Sequence, residues 1–159
     1  MAEPTRVLFV CLGNICRSPL AEGVFRHLVE ERGLTASFEV DSAGTGSWHV
    51  GQLPDSRSTR VAADHGIALD GRGRQVTPED LERFDVVLAM DRENLRDLEH
   101  MARRSGASPR LHLLRDFDPD ADAPDVPDPY YGGPSGFENV YQMVRRSCEH
   151  LLEELAPSG

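Results

Sequence analysis

The sequence predicts an α/β fold of three layers, α/β/α, with a central four-stranded parallel sheet covered by helices on both faces. Two observations carry that expectation. Four short runs rich in β-branched and apolar residues alternate with segments whose apolar residues recur at helical spacing. No internal repeat or linker tract divides the 159 residues, a length that suits one domain burying about two-thirds of its unfolded surface. The chain is therefore read as a single domain over residues 1–159.

The first run, Arg6 to Val10 (RVLFV), is a strand. Residues 11–18 (CLGNICRS) must then turn before Ser18 and Pro19 open a helix through LAEGVFRHLVEERG, which stops at Gly33. Phe38 to Gly44 (FEVDSAG) is the second strand, and a glycine-rich polar loop follows, carrying Trp48 to about Pro54. SRSTRVAADHG reads as a helix ending at Gly66. Thr77 to Asp80 (TPED) places threonine at an N-cap, proline at the first helical position and an acid three residues on, so a short helix starts there. Phe84 to Met90 (FDVVLAM) reads as a buried strand, Asp91 caps the helix RENLRDLEHMARR, and Arg110 to Leu114 (RLHLL) is the fourth strand. Residues 115–134 hold too much Pro, Gly and Asp for regular structure, and so long a loop in a compact domain is usually functional. Ser135 and Glu138 form a capping box that opens the last helix, which runs to about Leu155.

Composition narrows the chemistry. Hydrophobic residues make up 39% and charged residues 28%, the balance of a soluble globular protein. The formal net charge is −10, with the acids scattered rather than gathered in a tail. Neither nucleic acid nor an anionic membrane is an expected partner, and any anion site must be local. There is no lysine, which excludes Schiff-base chemistry and a nucleotide-hydrolase P-loop lysine. No stretch reads as a signal peptide or membrane span. Cys11, Cys16 and Cys148 make no even-numbered disulfide framework, so a reducing, cytoplasmic setting is expected. The six histidines show no metal-ligand spacing with the cysteines, and no metal or other cofactor is expected.

The loop after the first strand is where chemistry concentrates. Cys11 stands where the strand stops, and Gly13 and Asn14 are residue types that tolerate left-handed backbone angles. Backbone N–H groups can then turn inward to form a concave nest on the positive end of a helix, which binds a phosphate-like anion. Arg17 adds a planar fork for two phosphate oxygens. The same field favours the thiolate of Cys11, a nucleophile aimed at phosphorus, and Ser18 can donate its hydroxyl to that sulfur.

CLGNICRS thus carries a C-x-x-x-x-x-R-S pattern, and together with DSAGT, QVT, AMD and DPYYG it makes nearly the whole chain resemble the low-molecular-weight protein tyrosine phosphatases. The resemblance implies a cytoplasmic, metal-free hydrolase with a phosphate-binding loop after the first of four parallel strands. It would act on phosphotyrosine-containing proteins and release inorganic phosphate; a monomer is expected. Residue by residue, it makes Cys11 the nucleophile, Arg17 the phosphate and transition-state clamp, and Asp128 the proton donor and later the base. Leu12, Gly13, Asn14, Ile15, Cys16 and Ser18 surround the phosphate, while Asn14, Ser18 and Ser42 support the loop. Trp48, Tyr130 and Tyr131 line a cleft whose aromatic walls suit a phosphotyrosine ring, and Trp48 with His49 tunes the flanks accepted. A loop-supporting histidine of some members is Gly71 here. Chemistry independently asks for a residue like Asp128, because a phenolate departs more easily with a proton supplied.

Each assignment has a plainer competitor. Cys11 alone would pass as a strand-end core thiol, and Asp128 as a turn residue before Pro129. Cys16 is either a partner that protects Cys11 through a disulfide or a small apolar filler; Cys148 reads as core. A thioredoxin-coupled arsenate reductase has a similar loop but needs further downstream cysteines, and only Cys148 remains. A phosphotyrosine-binding module has no need of a nucleophile and a proton donor together.

Overall fold

The computed structural model describes residues 3–129 and 136–157. Its centre is a four-stranded parallel sheet in the order β2-β1-β3-β4, formed by β1 (Thr5–Cys11), β2 (Phe38–Gly44), β3 (Val86–Ala89) and β4 (Arg110–Leu113). Side chains alternate across β1 with the two-residue strand period. Val7, Phe9 and Cys11 pack with helices α1 (Arg17–Glu31), α2 (Ser56–Asp64) and α5 (Gly136–Leu155), whereas Leu8 and Val10 pack with α3 (Pro78–Arg83) and α4 (Arg92–Ser105). The three layers follow from that alternation, since both faces of β1 are apolar and both need covering.

Phe25 of α1 packs edge-on against Phe9, with ring centroids 5.7 Å apart, and against Phe38 at 5.4 Å, which fixes α1 across the β1–β2 pair. The strand order reverses beside β1, so the crevice beyond the carboxyl ends of β1 and β3 is the expected ligand position in such a sheet. Cys11 lies at that end of β1, and Asp91 follows β3 there.

The second strand occupies the residues expected for it, and α3 begins with Thr77 and Asp80 exchanging both capping-box hydrogen bonds. Strand β1 extends one residue beyond the expected run at each end, to Thr5 and Cys11, and other boundaries differ more. The helix predicted from Ser18 and Pro19 begins at Arg17 with Cys16 as N-cap, because Pro19 loses nothing in a first turn whose N–H groups have no intrahelical partner. β3 is limited to Val86–Ala89, because Phe84 serves as C-cap of α3 and Met90, although it still donates to Val10 O of β1, gives its own carbonyl to Val126 N–H. β4 gives way after Leu113 to a 3₁₀ turn, Leu114–Phe117, and another, Thr35–Ser37, precedes β2. Ser135, the expected partner of Glu138 in a capping box, lies outside the described residues; Glu138 accepts from Gln142 and contacts His65. Among the described residues, no helix is long and apolar enough to cross a membrane.

Candidate active site

The segment from Cys11 to Arg17 wraps around the sulfur of Cys11. Asn14 takes a left-handed conformation, φ 57°, which turns its backbone N–H onto Cys11 Sγ at 3.2 Å. Ser18 Oγ lies 3.0 Å from the same sulfur. The side chain of Asn14 holds the loop in this shape: Nδ2 donates to Ser18 Oγ at 2.8 Å and to Ser42 Oγ at 3.0 Å, while Oδ1 accepts from the backbone N–H of Arg74 at 3.0 Å. That last bond braces the loop from the backbone of the segment after Gly71, whose φ is +89° and whose surroundings are open.

Among α1 to α4, only α1 lacks a side-chain cap. Asp55, Thr77 and Asp91 cap the other three, whereas Cys16 offers α1 no such bond, and the first turn of α1 holds no acid. Its uncapped N–H groups and positive end are left to attract an anion.

Arg17 is buried, and its Nη1 donates to Asp91 Oδ2 at 2.8 Å and to Val126 O at 2.9 Å. Both contacts use one nitrogen, which leaves the Nε and Nη2 edge for two oxygens of a bound oxyanion. Burial opposes the cation, but the Cys11 sulfur, Asp91 and Asp128 outweigh it and hold the guanidinium above its ordinary value. Asp91 thus does more than cap α4: it ties the end of β3 to the arginine.

A cavity of about 360 Å³ opens over this loop, lined by Cys11, Leu12, Gly13, Ile15, Cys16, Arg17, Trp48, His49 and Asp128. The sequence-predicted nucleophile, arginine and acid therefore share one cavity. Trp48 stands at its rim, 70% exposed. Asn14 and Ser18 are fully buried behind the loop, so their side chains support it rather than face the cavity. Tyr130 and Tyr131 lie outside the described residues.

Asp128 is positioned through the segment before it. Val126 donates to Met90 O at 2.7 Å and accepts from Arg17, and Arg115 donates to Asp125 O at 3.1 Å and to Asp122 at 3.2 Å. Arg115 also forms a fully buried pair with Asp118 at 3.4 Å, although its Nε is not aligned for a hydrogen bond.

All three cysteines are free thiols. Burial, with Asp55 and Cys11 nearby, pushes the Cys16 thiol up to about 12, and burial raises Cys148 as well. Sequence reasoning missed the support given by Glu22, Gly44 and Arg74, which act through backbone approach and long-range hydrogen bonds that leave no local pattern. Among the described residues, no group of three or more His, Cys, Asp or Glu side chains is placed to hold a metal ion.

The chain is similar to known proteins of one family. The sequence model of the family described as low molecular weight phosphotyrosine protein phosphatase matches residues 6–158. The chain is 47% identical over 150 residues to the Bacillus subtilis low molecular weight protein-tyrosine-phosphatase YfkJ, covering 94% of each chain. The YfkJ crystal structure superposes with a TM-score of 0.90 over 97% of this chain and 96% of that one, at 44% identity. A Streptomyces coelicolor low molecular weight protein-tyrosine-phosphatase is 48% identical over 149 residues, 92% of this chain and 91% of its own. A Drosophila arginine phosphatase is also similar in structure, with a TM-score of 0.90 and 36% identity over 96% of this chain and 99% of its own.

Proposed function

The chain belongs to the low molecular weight phosphotyrosine protein phosphatase family, and from that premise we propose that it hydrolyses phosphotyrosine and small aryl phosphates through a cysteinyl-phosphate intermediate. The observation that carries the reading is the shared cavity of Cys11, Arg17 and Asp128 over an uncapped helix N-terminus.

In the first step Cys11 Sγ attacks phosphorus, an S–P bond forms, and the P–O bond to the phenol breaks while Asp128 delivers its proton to the departing oxygen. The inward N–H groups of the loop and the open edge of Arg17 meet the equatorial oxygens, where charge is spread in the transition state. Ser18, donating to Cys11 Sγ, steadies the sulfur as nucleophile and later as leaving group. In the second step the Asp128 carboxylate takes a proton from water, the water oxygen attacks phosphorus, the S–P bond breaks, and inorganic phosphate leaves. Trp48 at the rim offers a face for the substrate ring, favouring aryl over alkyl phosphate.

The test is phosphate release from matched phosphotyrosyl, phosphoseryl and phosphoarginyl peptides without added metal, for the parent, Cys11→Ser and Asp128→Ala. Tyrosine-selective turnover, lost in the first variant and reduced about 10²- to 10⁴-fold in the second, is expected. Preference for phosphoarginine would replace the substrate assignment, and tight peptide binding without turnover would make the protein a phosphotyrosine reader.

A further inference from the structure

Glu22 lies outside the cavity that holds Cys11, yet a continuous set of hydrogen bonds joins the two. Ser42 Oγ donates to Glu22 Oε1 at 2.6 Å; Asn14 Nδ2 donates to Ser42 at 3.0 Å and to Ser18 at 2.8 Å; Ser18 Oγ is 3.0 Å from Cys11 Sγ. Ser18 and Glu22 are four residues apart on α1, so they share a face one turn apart, and Ser42 on β2 and Asn14 on the loop close a ring between them. We infer that Glu22 is a positioning residue: it locks this ring and thereby sets the hydrogen bonds that end on the Cys11 sulfur. The inference rests on the nucleophilic role proposed for Cys11.

The reason is directional. A carboxylate can only accept, so it takes the single proton of Ser42 and leaves the Ser42 oxygen to accept from Asn14. Arg74 N–H already occupies Asn14 Oδ1, so the amide has its nitrogen toward both hydroxyls. Ser18 Oγ then accepts from Asn14, and its own proton turns to the sulfur at 3.0 Å, a closer acceptor than Ala43 O at 3.4 Å. The same ring holds Asn14 in its left-handed conformation, which a residue with a Cβ adopts at a cost, and the Asn14 N–H is the other donor to the sulfur. Without Glu22 the Ser42 hydroxyl is released, and Asn14 loses the fixed acceptor that braces it.

Glu22 is shielded but not sealed, with 12% of its side chain exposed. Its carboxylate reaches a second cavity of about 310 Å³ and pairs with Arg26 of its own helix at 2.7 Å. Asp41 of β2 faces it and is held by Arg74 at 3.1 Å, and Asp70, from the segment after α2, lies 3.6 Å from Arg26. Burial raises Glu22 above the usual carboxylate range, while the bonds from Ser42 and Arg26 work the other way.

The experiment is a double-mutant cycle of Glu22→Ala and Ser42→Ala, read by iodoacetate alkylation from pH 5 to 8, with mass mapping to separate Cys11 from Cys16 and Cys148. Steady-state hydrolysis of an aryl phosphate is measured alongside. Glu22→Ala is expected to move the Cys11 alkylation profile up by roughly half to one pH unit and to slow alkylation at pH 6 about three- to tenfold, the worth of one ordinary hydrogen bond. On the Ser42→Ala background the same change adds less than about twofold, because the path is already cut. A parent-like profile in Glu22→Ala, or an equal loss on both backgrounds, overturns the inference. If Glu22→Ala does not fold, Glu22→Gln leaves one acceptor oxygen for two donors, Ser42 and Arg26, and a smaller shift of the same sign is expected; no shift overturns it. A coupled alkylation effect in a protein that hydrolyses nothing supports the wiring and sinks the proposed function separately.

Discussion

Replacing Gly44 with alanine adds one methyl group at the point where β2 meets the loop after β1. That methyl would lie 2.8 Å from Leu12 O, 3.1 Å from Asn14 N and 3.1 Å from Gly13 C, all backbone atoms. Gly44 cannot withdraw. It pairs with Cys11 across β1, and on its other side it donates to Arg74 O and accepts from Val76 N at 2.8 Å each. The loop must therefore give, and restoring a 3.4 Å contact to Leu12 O moves it by at least about 0.6 Å. Residues 12–14 belong to the loop proposed to bind phosphate, Asn14 N–H also meets the Cys11 sulfur, and a misplacement of 1 Å typically costs about 10²-fold in rate. The expected result is a kcat/KM for an aryl phosphate lower by roughly 10- to 50-fold, with a loss of about 1–3 kcal/mol in denaturant unfolding. Gly71→Ala is the control, since it strains a left-handed residue in open space: stability falls by about 1–2 kcal/mol and kcat/KM stays at the parent value. Parent-like turnover in Gly44→Ala, with the methyl shown to be accommodated by a crystal structure, would refute the reasoning.

Arg17→Lys keeps the charge but cannot hold Asp91, Val126 O and an oxyanion together. With about 1.5–3 kcal/mol lost for each of two charge-assisted bonds, kcat/KM is expected to fall roughly 10²- to 10⁴-fold, checked by steady-state kinetics. Arg115→Lys retains a cation beside Asp118 while releasing Asp125 O and Asp122, so kcat drops about three- to tenfold with KM for a small aryl phosphate nearly unchanged. Asp80 gives a pH signature. Burial works against its charge, but the bonds from Arg74 and Thr77 outweigh it and hold the carboxyl below its ordinary value. The stability it contributes is therefore present above the unfolded value near 3.8 and is lost as pH falls through the lower folded value. The gap in melting temperature between parent and Asp80→Asn is expected to be constant near neutrality and to close below about pH 4 in thermal scans.

Legibility followed the range of the interaction. The strand at Phe38–Gly44 and the caps Thr77 and Asp91 appear where expected, since hydrophobic period and cap chemistry are encoded within a few neighbours. The order of thiol, turn residues and arginine from Cys11 to Arg17 was equally legible, because they are consecutive. The start of α1 and the end of β3 were less so: Arg17 is held by Asp91 and Val126, and Met90 gives its carbonyl to Val126, all partners far along the chain.

By itself the sequence determined the order of elements, the parallel α/β class and a thiol set at the mouth of a helix, for each depends on local period, sterics and spacing. Only the tertiary structure decided what surrounds that thiol. It brought Ser42 and Glu22 behind Asn14, set Gly44 against the loop backbone, and tied Arg17 to Asp91 and Val126, across separations of up to 109 residues. Hydrogen bonds and close backbone contacts of that kind act over about 3 Å in space, and nothing in the spacing of residues along a chain records them until the sheet and helices have packed.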